Sequence, residues 1–170
     1  MVLIERTILP NGVDSDQRGN SPRSGKSLKV LFICFANVAR SQIAEACFKT
    51  ISRHHCDSAG IAVDNRIANG SLPSRKVKDA PTRRSIEYIK REFGMDIGEK
   101  ERQQLVPKMI DTADIAIVIA EKNRWPDYLK EGGKVMFWDI PDPFGQTDAF
   151  ADEIYKQVQQ RVEQLVAEIG

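Results

Sequence analysis

The fold is decided by residues 28–50, which read LKVLFICFANVARSQIAEACFKT. Residues 30–33 form an unbroken apolar run with two β-branched residues, a pattern typical of a strand that is buried on both faces of a sheet. From Ser41 onward, apolar residues recur at intervals of three and four, which predicts an amphipathic helix. Its polar positions Gln42, Glu45 and Lys49 are expected on the outer side. The stretch therefore predicts a strand, a short loop and a helix in immediate succession.

The loop between this strand and this helix carries candidate catalytic residues. Five residues separate Cys34 from Arg40, and Ser41 follows directly. Backbone N–H groups of a tight loop that leads into a helix point into one concavity, where the helix dipole favours negative charge. The same field stabilises a thiolate, so Cys34 is a candidate nucleophile. Arg40 offers a planar fork of donors that fits two oxygens of a phosphate-like group.

The other residues of the loop are predicted to bind the anion. Their backbone N–H groups are expected to bind the oxygens, and Ser41 could donate to the sulfur and help it leave. Asn37 tolerates the left-handed backbone that a loop around an anion often needs. The alternative interpretation makes Cys34 a small buried hydrophobe and Arg40 a surface charge, but their position between a buried strand and an amphipathic helix favours a site. The predicted phosphate-binding set is Phe35, Ala36, Asn37, Val38, Ala39, Arg40 and Ser41.

A loop with two prolines carries a further candidate. Residues 138–145 read WDIPDPFG, and prolines remove N–H donors and favour extended backbone, so this loop is predicted to be rigid and non-helical. It follows a predicted strand and should lie at the carboxyl edge of the sheet, with Cys34. Asp142 could there protonate a leaving group and later activate water, or it could simply be a turn residue before proline. Asp139 is the competing carboxylate, and Phe144 could stack on an aryl ring or pack inward.

Three motifs resemble the low-molecular-weight protein-tyrosine phosphatase family and the arsenate reductases that share its fold. CFANVARSQIAEA is similar to the signature loop and first helix of that family. Residues 57–60, DSAG, resemble the end of its second strand, and residues 142–143, DP, resemble its general-acid motif. The resemblance covers about residues 28–170.

The alternation of strands and helices predicts an α/β fold with a parallel sheet and right-handed crossovers. The resemblance implies, more specifically, a three-layer α/β/α fold with four strands in the order 2-1-3-4. It also implies a cysteine-dependent phosphomonoester hydrolase without metal or cofactor, in which Cys34 forms a phosphocysteine, Arg40 holds the phosphoryl oxygens and Asp142 is the general acid. Ile61 and Phe144 are expected at the substrate rim. The implied partners are a phosphorylated protein or a small aryl phosphate, with phosphate or sulfate as an inhibitory ligand.

The sequence is also compatible with two other functions. The SQIAEA run and the WDIPDP loop look closer to the arsenate reductases, but a thioredoxin-coupled reductase needs two further cysteines downstream and none follows Cys56. Arsenate reduction would therefore depend on an external small thiol. Ala39 stands where many relatives carry a second cysteine, so a disulfide between that position and Cys34 cannot form. A module that binds phosphorylated partners without turnover is the third interpretation, which the intact set of Cys34, Arg40 and Asp142 disfavours.

Composition sets further limits. A chain of 170 residues with 41% hydrophobic residues is long enough for one domain with a real core. A net charge of +1 gives no support for nucleic acid or an anionic membrane as a partner. No apolar run reaches about 18 residues, so we expect a cytoplasmic enzyme. We also expect the protein to be a monomer or a weak dimer. The odd cysteine count, without metal-ligand spacing, predicts neither a disulfide framework nor a metal site. The cysteines are Cys34, Cys47 and Cys56.

The remaining segments complete the prediction. Residues 1–27 are predicted to be a flexible extension of a catalytic domain that spans residues 28–170. The segment GNSPRSGKS, residues 19–27, approaches a nucleotide-binding pattern, but it has one residue too many and a strand follows where a helix is required. In the long segment 61–80, the basic residues Arg66, Arg75 and Lys76 could meet an acidic substrate, although solvated surface is the favoured interpretation. Further strands are predicted at 54–58, 115–120 and 134–138, and further helices at 81–93, 103–110 and 147–170.

Overall fold

Residues 25–81 and 83–170 are described by a computed structural model of the chain. The extension predicted over residues 1–27 lies outside the described residues, apart from its last three positions. The segment that approaches a nucleotide-binding pattern likewise lies mostly outside them.

Four parallel strands form the central sheet, in the predicted order β2-β1-β3-β4. Cys34, the last residue of β1, pairs with Gly60 of β2, and Ile33 pairs with Val118 of β3. Because the strands are parallel and in this register, their carboxyl ends meet at one edge of the sheet. The strands are β1 (Lys29–Cys34), β2 (His55–Gly60), β3 (Ile115–Val118) and β4 (Val135–Phe137).

Helices connect and cover the strands, as the alternating pattern predicts. Two short 3-10 helices, Val77–Asp79 and Lys122–Arg124, lie in the connections. The α-helices are α1 (Arg40–Ile51), α2 (Asp64–Ala68), α3 (Arg84–Phe93), α4 (Pro107–Thr112) and α5 (Asp148–Ile169). In the described part of the chain, no helix has the length and apolar character needed to span a bilayer.

Alternate residues of β1 pack on opposite sides of the sheet. Phe32 belongs to a core cluster with residues of α1, α3 and α5, and Leu31 belongs to a second cluster with Leu105 and Ile110 on the other side. Residues 30–33 are at most 1% exposed, which confirms the prediction of a strand buried on both faces. Full burial of a large apolar side chain contributes about 1.5–3 kcal/mol, so β1 is firmly held and Cys34 with it.

The polar face predicted for α1 is partly wrong. Lys49 is exposed as predicted, but Gln42 and Glu45 are each only 1% exposed. Both contact polar groups of neighbouring segments, including Lys100, whose ammonium donates to each of them. An amphipathic pattern reflects polarity alone and does not distinguish solvent from a buried polar partner, so it predicts a surface position in both cases.

Two helices begin later in the chain than the sequence predicts. The helix predicted from residue 81 begins only at Arg84, although it ends as predicted before Gly94, whose φ of 69° is left-handed. The helix predicted over 103–110 spans Pro107–Thr112, with the proline in its first turn, where a missing N–H costs nothing. Residues before Pro107 extend along the sheet edge instead, and Gln104 forms a bridge with Gly60.

The apolar spacing within residues 147–170 predicts one buried face of α5, formed by Phe150, Ile154, Val158, Val162, Leu165 and Ile169. Ile154, Val158, Val162 and Leu165 are buried as predicted. Phe150 is 40% exposed, and Ala151 is buried in its place at that end of the helix. The first turn of α5 thus rotates its aromatic side chain away from the core.

Candidate active site

The loop between β1 and α1 surrounds the sulfur of Cys34. This sulfur lies 2.9 Å from the Ser41 hydroxyl oxygen and accepts a hydrogen bond of 3.2 Å from the backbone N–H of Asn37. The φ of Asn37 is 54°, the left-handed conformation that the sequence predicts for this position. Cys34 is 3% exposed, so its sulfur is nearly buried and has polar neighbours on the loop side.

The side chain of Asn37 stabilises the loop from beneath. Its amide nitrogen donates to the Ser41 hydroxyl at 2.8 Å and to the Ser58 hydroxyl at 2.9 Å. Its amide oxygen accepts from the Gln42 side chain at 3.1 Å and from the backbone N–H of Gln103 at 3.0 Å. Asn37 is fully buried, and a polar group left there without a hydrogen-bond partner would lower the free energy of unfolding by about 1–3 kcal/mol. These four bonds therefore hold the strained backbone of the loop in one shape.

Glu45 extends this network away from the sulfur. It accepts a short hydrogen bond from the Ser58 hydroxyl and lies 2.5 Å from the ammonium groups of Lys49 and Lys100. Burial acts to raise the pKa of Glu45, but the charge of Lys100 and hydrogen bonds from Lys100, Lys49 and Ser58 outweigh it, and the pKa is lowered. A charged carboxylate is thus linked to Asn37 through a single hydroxyl group.

The guanidinium group of Arg40 is fixed at the carboxyl edge of the sheet. Its Nη1 donates to the backbone oxygens of Ile119 at 2.7 Å and Ile140 at 2.9 Å. The same nitrogen donates to Glu121 at 2.9 Å. Burial acts to raise the pKa of Glu121, but a backbone hydrogen bond and the charge of Arg40 lower it. Arg40 is 3% exposed, so it is a buried cation with a defined orientation rather than surface charge.

The proline-containing loop brings Asp142 to the same place. Its Oδ2 lies 3.7 Å from Nη2 of Arg40, and its Oδ1 accepts a hydrogen bond of 3.0 Å from the backbone N–H of Phe144. The side chain of Asp142 is 41% exposed, so it can exchange protons with solvent. Asp139 is exposed and does not line the cavity that contains Cys34.

These residues border one cavity of about 600 Å³. Cys34, Arg40 and Asp142 line it, as do Phe35, Ala36, Val38 and Ala39 of the predicted phosphate-binding set. Asn37 and Ser41 do not line it and are buried behind it. Phe144 lines it and is 67% exposed, which rules out the alternative that it packs inward. Ile61, expected at the rim, does not line it, because it packs against the second core cluster instead.

Gly60, the last residue of the DSAG motif, packs directly against the backbone of the loop that follows Cys34. A Cβ atom at this position would lie 2.8 Å from the backbone nitrogen of Asn37 and 2.9 Å from the carbonyl carbon of Ala36. Contacts this short with backbone require a shift of the loop. The end of β2 therefore has to be glycine for the loop to pack against it.

Sequence reasoning missed two charged residues that support the loop. Glu121 follows β3 at the carboxyl edge, and the rule that selected Asp142 could have found it. Arg102 is 1% exposed, and its guanidinium group donates to the backbone oxygens of Ala36 at 3.4 Å and Ser74 at 2.9 Å. Nothing in the local pattern around Arg102 indicates burial, since its neighbours are mostly polar.

The other two cysteines do not line the cavity, and Cys47 lies in the core whereas Cys56 is half-buried beside it. Cys47 is buried on α1, and burial raises its pKa to about 12. Burial likewise raises the pKa of Cys56 to about 12. Among residues 25–81 and 83–170, no group of histidine, cysteine and carboxylate side chains is arranged to hold a metal ion.

Comparison with solved structures supports the fold. The low molecular weight protein tyrosine phosphatase of T. tengcongensis has a TM-score of 0.64 at 21% identity, over 84% of this chain and 99% of that chain. Vibrio vulnificus Wzb in complex with benzylphosphonate has a TM-score of 0.63 at 22% identity, over 84% and 99%. The arsenate reductase of Archaeoglobus fulgidus has a TM-score of 0.60 at 24% identity, over 81% and 98%. At these identities the likeness concerns the fold.

Comparison by sequence identifies the family. Curated proteins yield no match to the chain. Residues 29–170, however, match the low molecular weight phosphotyrosine protein phosphatase family. This span contains the loop around Cys34, the glycine that packs beneath it and the loop that carries Asp142. With the sheet order and the site geometry in agreement, the chain belongs to the low molecular weight phosphotyrosine protein phosphatase family and is a phosphatase.

Proposed function

We propose that this phosphatase hydrolyses aryl phosphate monoesters, with phosphotyrosine as the model substrate, through a phosphocysteine on Cys34. The observation that carries the proposal is that Cys34, Arg40 and Asp142 border the same cavity, with the sulfur of Cys34 in contact with Ser41 and the Asn37 N–H. This set combines a nucleophile, an anion-binding cation and a proton donor.

In the first step, the Cys34 thiolate attacks phosphorus in line with the departing oxygen. A sulfur–phosphorus bond forms, the phosphorus–oxygen bond to the alcohol breaks, and protonated Asp142 donates its proton to the leaving oxygen. Arg40 and the N–H groups of the loop bind the equatorial oxygens, where charge accumulates. The partial exposure of Asp142 supports its part in this step, because the carboxyl group can be protonated again from solvent.

In the second step, water attacks the phosphocysteine. The Asp142 carboxylate takes a proton from the water, the oxygen–phosphorus bond forms, and the sulfur leaves as a thiolate. The Ser41 hydroxyl, 2.9 Å from the sulfur, can donate to it as negative charge returns. Inorganic phosphate and the free enzyme are the products, so phosphate and its analogue sulfate are expected to inhibit competitively.

The position of Phe144 supports the proposed preference for aryl phosphates. Phe144 lines the cavity beside Asp142, with an exposed ring available for an aryl leaving group. The solved Wzb neighbour is in complex with benzylphosphonate, which combines an aromatic ring with a phosphate-like group. Both features favour an aryl phosphate over an alkyl phosphate.

Arsenate reduction with an external small thiol is the second candidate. The fold is shared with an arsenate reductase, and arsenate has the geometry of phosphate. Cys47 and Cys56 are poor internal relay thiols, because burial raises the pKa of each to about 12. Any reductase activity would therefore require a thiol cofactor from solution.

Release of a chromogenic phenol from its phosphate ester, in the presence of a chelator, tests the proposal. We expect Cys34→Ser to lower kcat/KM at least about 10³-fold, and Asp142→Asn to lower kcat about 10²-fold or more. Asp139→Asn is the matched control, because this carboxylate lies outside the cavity, and it should retain wild-type rates. No phenol release, combined with thiol-dependent arsenite formation from arsenate, would replace the phosphatase proposal with the reductase one.

A further inference from the structure

Positive charge is concentrated at the cavity. The whole chain has 25 Lys and Arg residues against 24 Asp and Glu residues, so its charges nearly cancel. Among residues 25–81 and 83–170, five arginines and two carboxylates line the cavity, and no lysine does. The arginines are Arg40, Arg66, Arg83, Arg84 and Arg124, and the carboxylates are Glu87 and Asp142.

Two of these arginines have structural partners that account for them. Arg40 is bound to the sheet edge and to Glu121, where it can hold the phosphate that is to be cleaved. Arg84 contacts Asp148 at 2.6 Å and donates to the backbone oxygen of Gln146, which ties the start of α3 to the start of α5. The other three arginines are Arg66, Arg83 and Arg124, of which Arg124 also contributes, through its charge, to the lowered pKa of Glu121.

Arg66 and Arg124 flank the residue that follows the nucleophile. Their guanidinium carbons lie 5.6 Å and 4.2 Å from the ring centroid of Phe35. A guanidinium group over an aromatic face keeps the N–H donors in its own plane available for an anion. Phe35 thus holds two cations beside the loop before any ligand arrives, which lowers the entropy cost of binding.

Arg83 adds a third cation from a different direction. It is exposed and directly precedes α3, whereas Arg66 lies on α2 and Arg124 ends the 3-10 helix after β3. Three separate segments thus bring arginine to the same cavity. Arginine matches carboxylate and phosphate groups with paired hydrogen bonds, which a lysine cannot do.

We propose that Arg66, Arg83 and Arg124 bind a second anionic group of the substrate, next to the phosphate that Cys34 attacks. The proposal rests on the phosphatase function proposed above and specifies its substrate class as a phosphotyrosine peptide with an acidic flanking group. That group is a carboxylate side chain or a second phosphate, since both present the same paired oxygens. The excess positive charge would also raise the association rate of such a peptide.

Matched peptides test this inference. Three phosphotyrosine peptides of equal length would carry glutamate, phosphoserine or glutamine next to the phosphotyrosine, and kcat/KM would be measured for each with the full chain. We expect the two acidic peptides to be favoured over the glutamine peptide by about tenfold at low salt, with the preference largely lost near 0.5 M salt. Preference for only one acidic peptide identifies whether carboxylate or phosphate is bound.

Charge-removing variants assign the preference to the cavity. Arg83→Gln and Arg124→Gln should each lower the ratio of kcat/KM between acidic and glutamine peptides by about threefold. Lys90→Gln is the control, because it removes one exposed charge from α3 outside the cavity and should leave that ratio unchanged. Equal hydrolysis of all three peptides, or a ratio that the arginine variants do not alter, would overturn the inference. Failure to hydrolyse even the glutamine peptide and a simple aryl phosphate would instead contradict the phosphatase function.

Discussion

Replacement of Glu45 by glutamine removes a negative charge from the network beneath the active-site loop. The Glu45 side chain is 2% exposed and lies 2.5 Å from the ammonium groups of both Lys49 and Lys100. Glutamine keeps the shape and one acceptor but leaves both lysines without their anion. We therefore expect Glu45→Gln to destabilise the fold.

The size of the effect depends on how well the two lysines can reach water. Loss of one partner from a fully buried ion pair costs about 3–5 kcal/mol. Here the side chains of Lys49 and Lys100 are 49% and 30% exposed, so both can regain hydration. We expect a loss of about 2–3 kcal/mol, which corresponds to a fall in Tm of about 6–10 °C.

The loss should depend on pH with a definite sign. The pKa of Glu45 in the folded chain is lowered from 4.5, because the lysine charges and hydrogen bonds outweigh the effect of burial. The stability that the carboxylate contributes is therefore present above pH 4.5 and is lost as pH falls through the lower folded pKa. The difference in unfolding free energy between wild type and Glu45→Gln should shrink as pH falls.

Urea unfolding at a series of pH values measures this difference. Glu131→Gln is the matched control, since it breaks an exposed pair with Lys122 and should cost less than about 0.5 kcal/mol. The reasoning would be refuted if Glu45→Gln were no more destabilising than the control at neutral pH, or if its effect grew as pH fell.

Three further substitutions test the active-site loop and the start of α5. Gly60→Ala should shift the loop against Asn37 and lower kcat/KM about 10²-fold. Gly25→Ala should have no effect, because no described residue other than its chain neighbours has an atom within 4 Å of the added carbon; equal activity of the two variants would contradict the close approach at Gly60. Thr147→Ala removes the hydroxyl that accepts a hydrogen bond from the Phe150 N–H, so the free energy of unfolding measured in urea should fall by about 1 kcal/mol. An unchanged free energy of unfolding would mean that this helix cap does not stabilise the fold. Ser41→Ala should slow the release of sulfur from the phosphocysteine and lower kcat about 10²-fold, and stopped-flow absorbance should detect an initial burst of phenol. A reduced rate without a burst would mean that Ser41 acts in the first step instead.

Local patterns predicted the elements that position the site. An apolar run followed by an amphipathic helix predicted β1 and α1, and the rule for carboxyl ends of parallel strands placed Asp142 at the edge with Cys34. These predictions succeed because their signals lie in consecutive residues, namely an apolar run for β1, periodic apolar residues for α1 and an asparagine in a short loop. The φ of that asparagine, Asn37, is 54°, in the left-handed region.

Contacts between distant segments could not be predicted in the same way. Gln42 and Glu45 are polar positions of an amphipathic helix, and their partners when buried include Lys100 and Ser58, which belong to other segments of the chain. The same limit applies to Arg66, assigned to solvated surface in the sequence but placed by the fold at the cavity, over the ring of Phe35. Its sequence neighbours do not indicate which cavity it would face.

Direct detection of the covalent intermediate tests the central claim. The enzyme would be mixed with a chromogenic aryl phosphate and denatured rapidly, and its peptides would be analysed by mass spectrometry. The account predicts one phosphoryl group on the peptide that contains Cys34. Phenol release at a normal rate with no phosphoryl group on Cys34, or with the group on another residue, would contradict it.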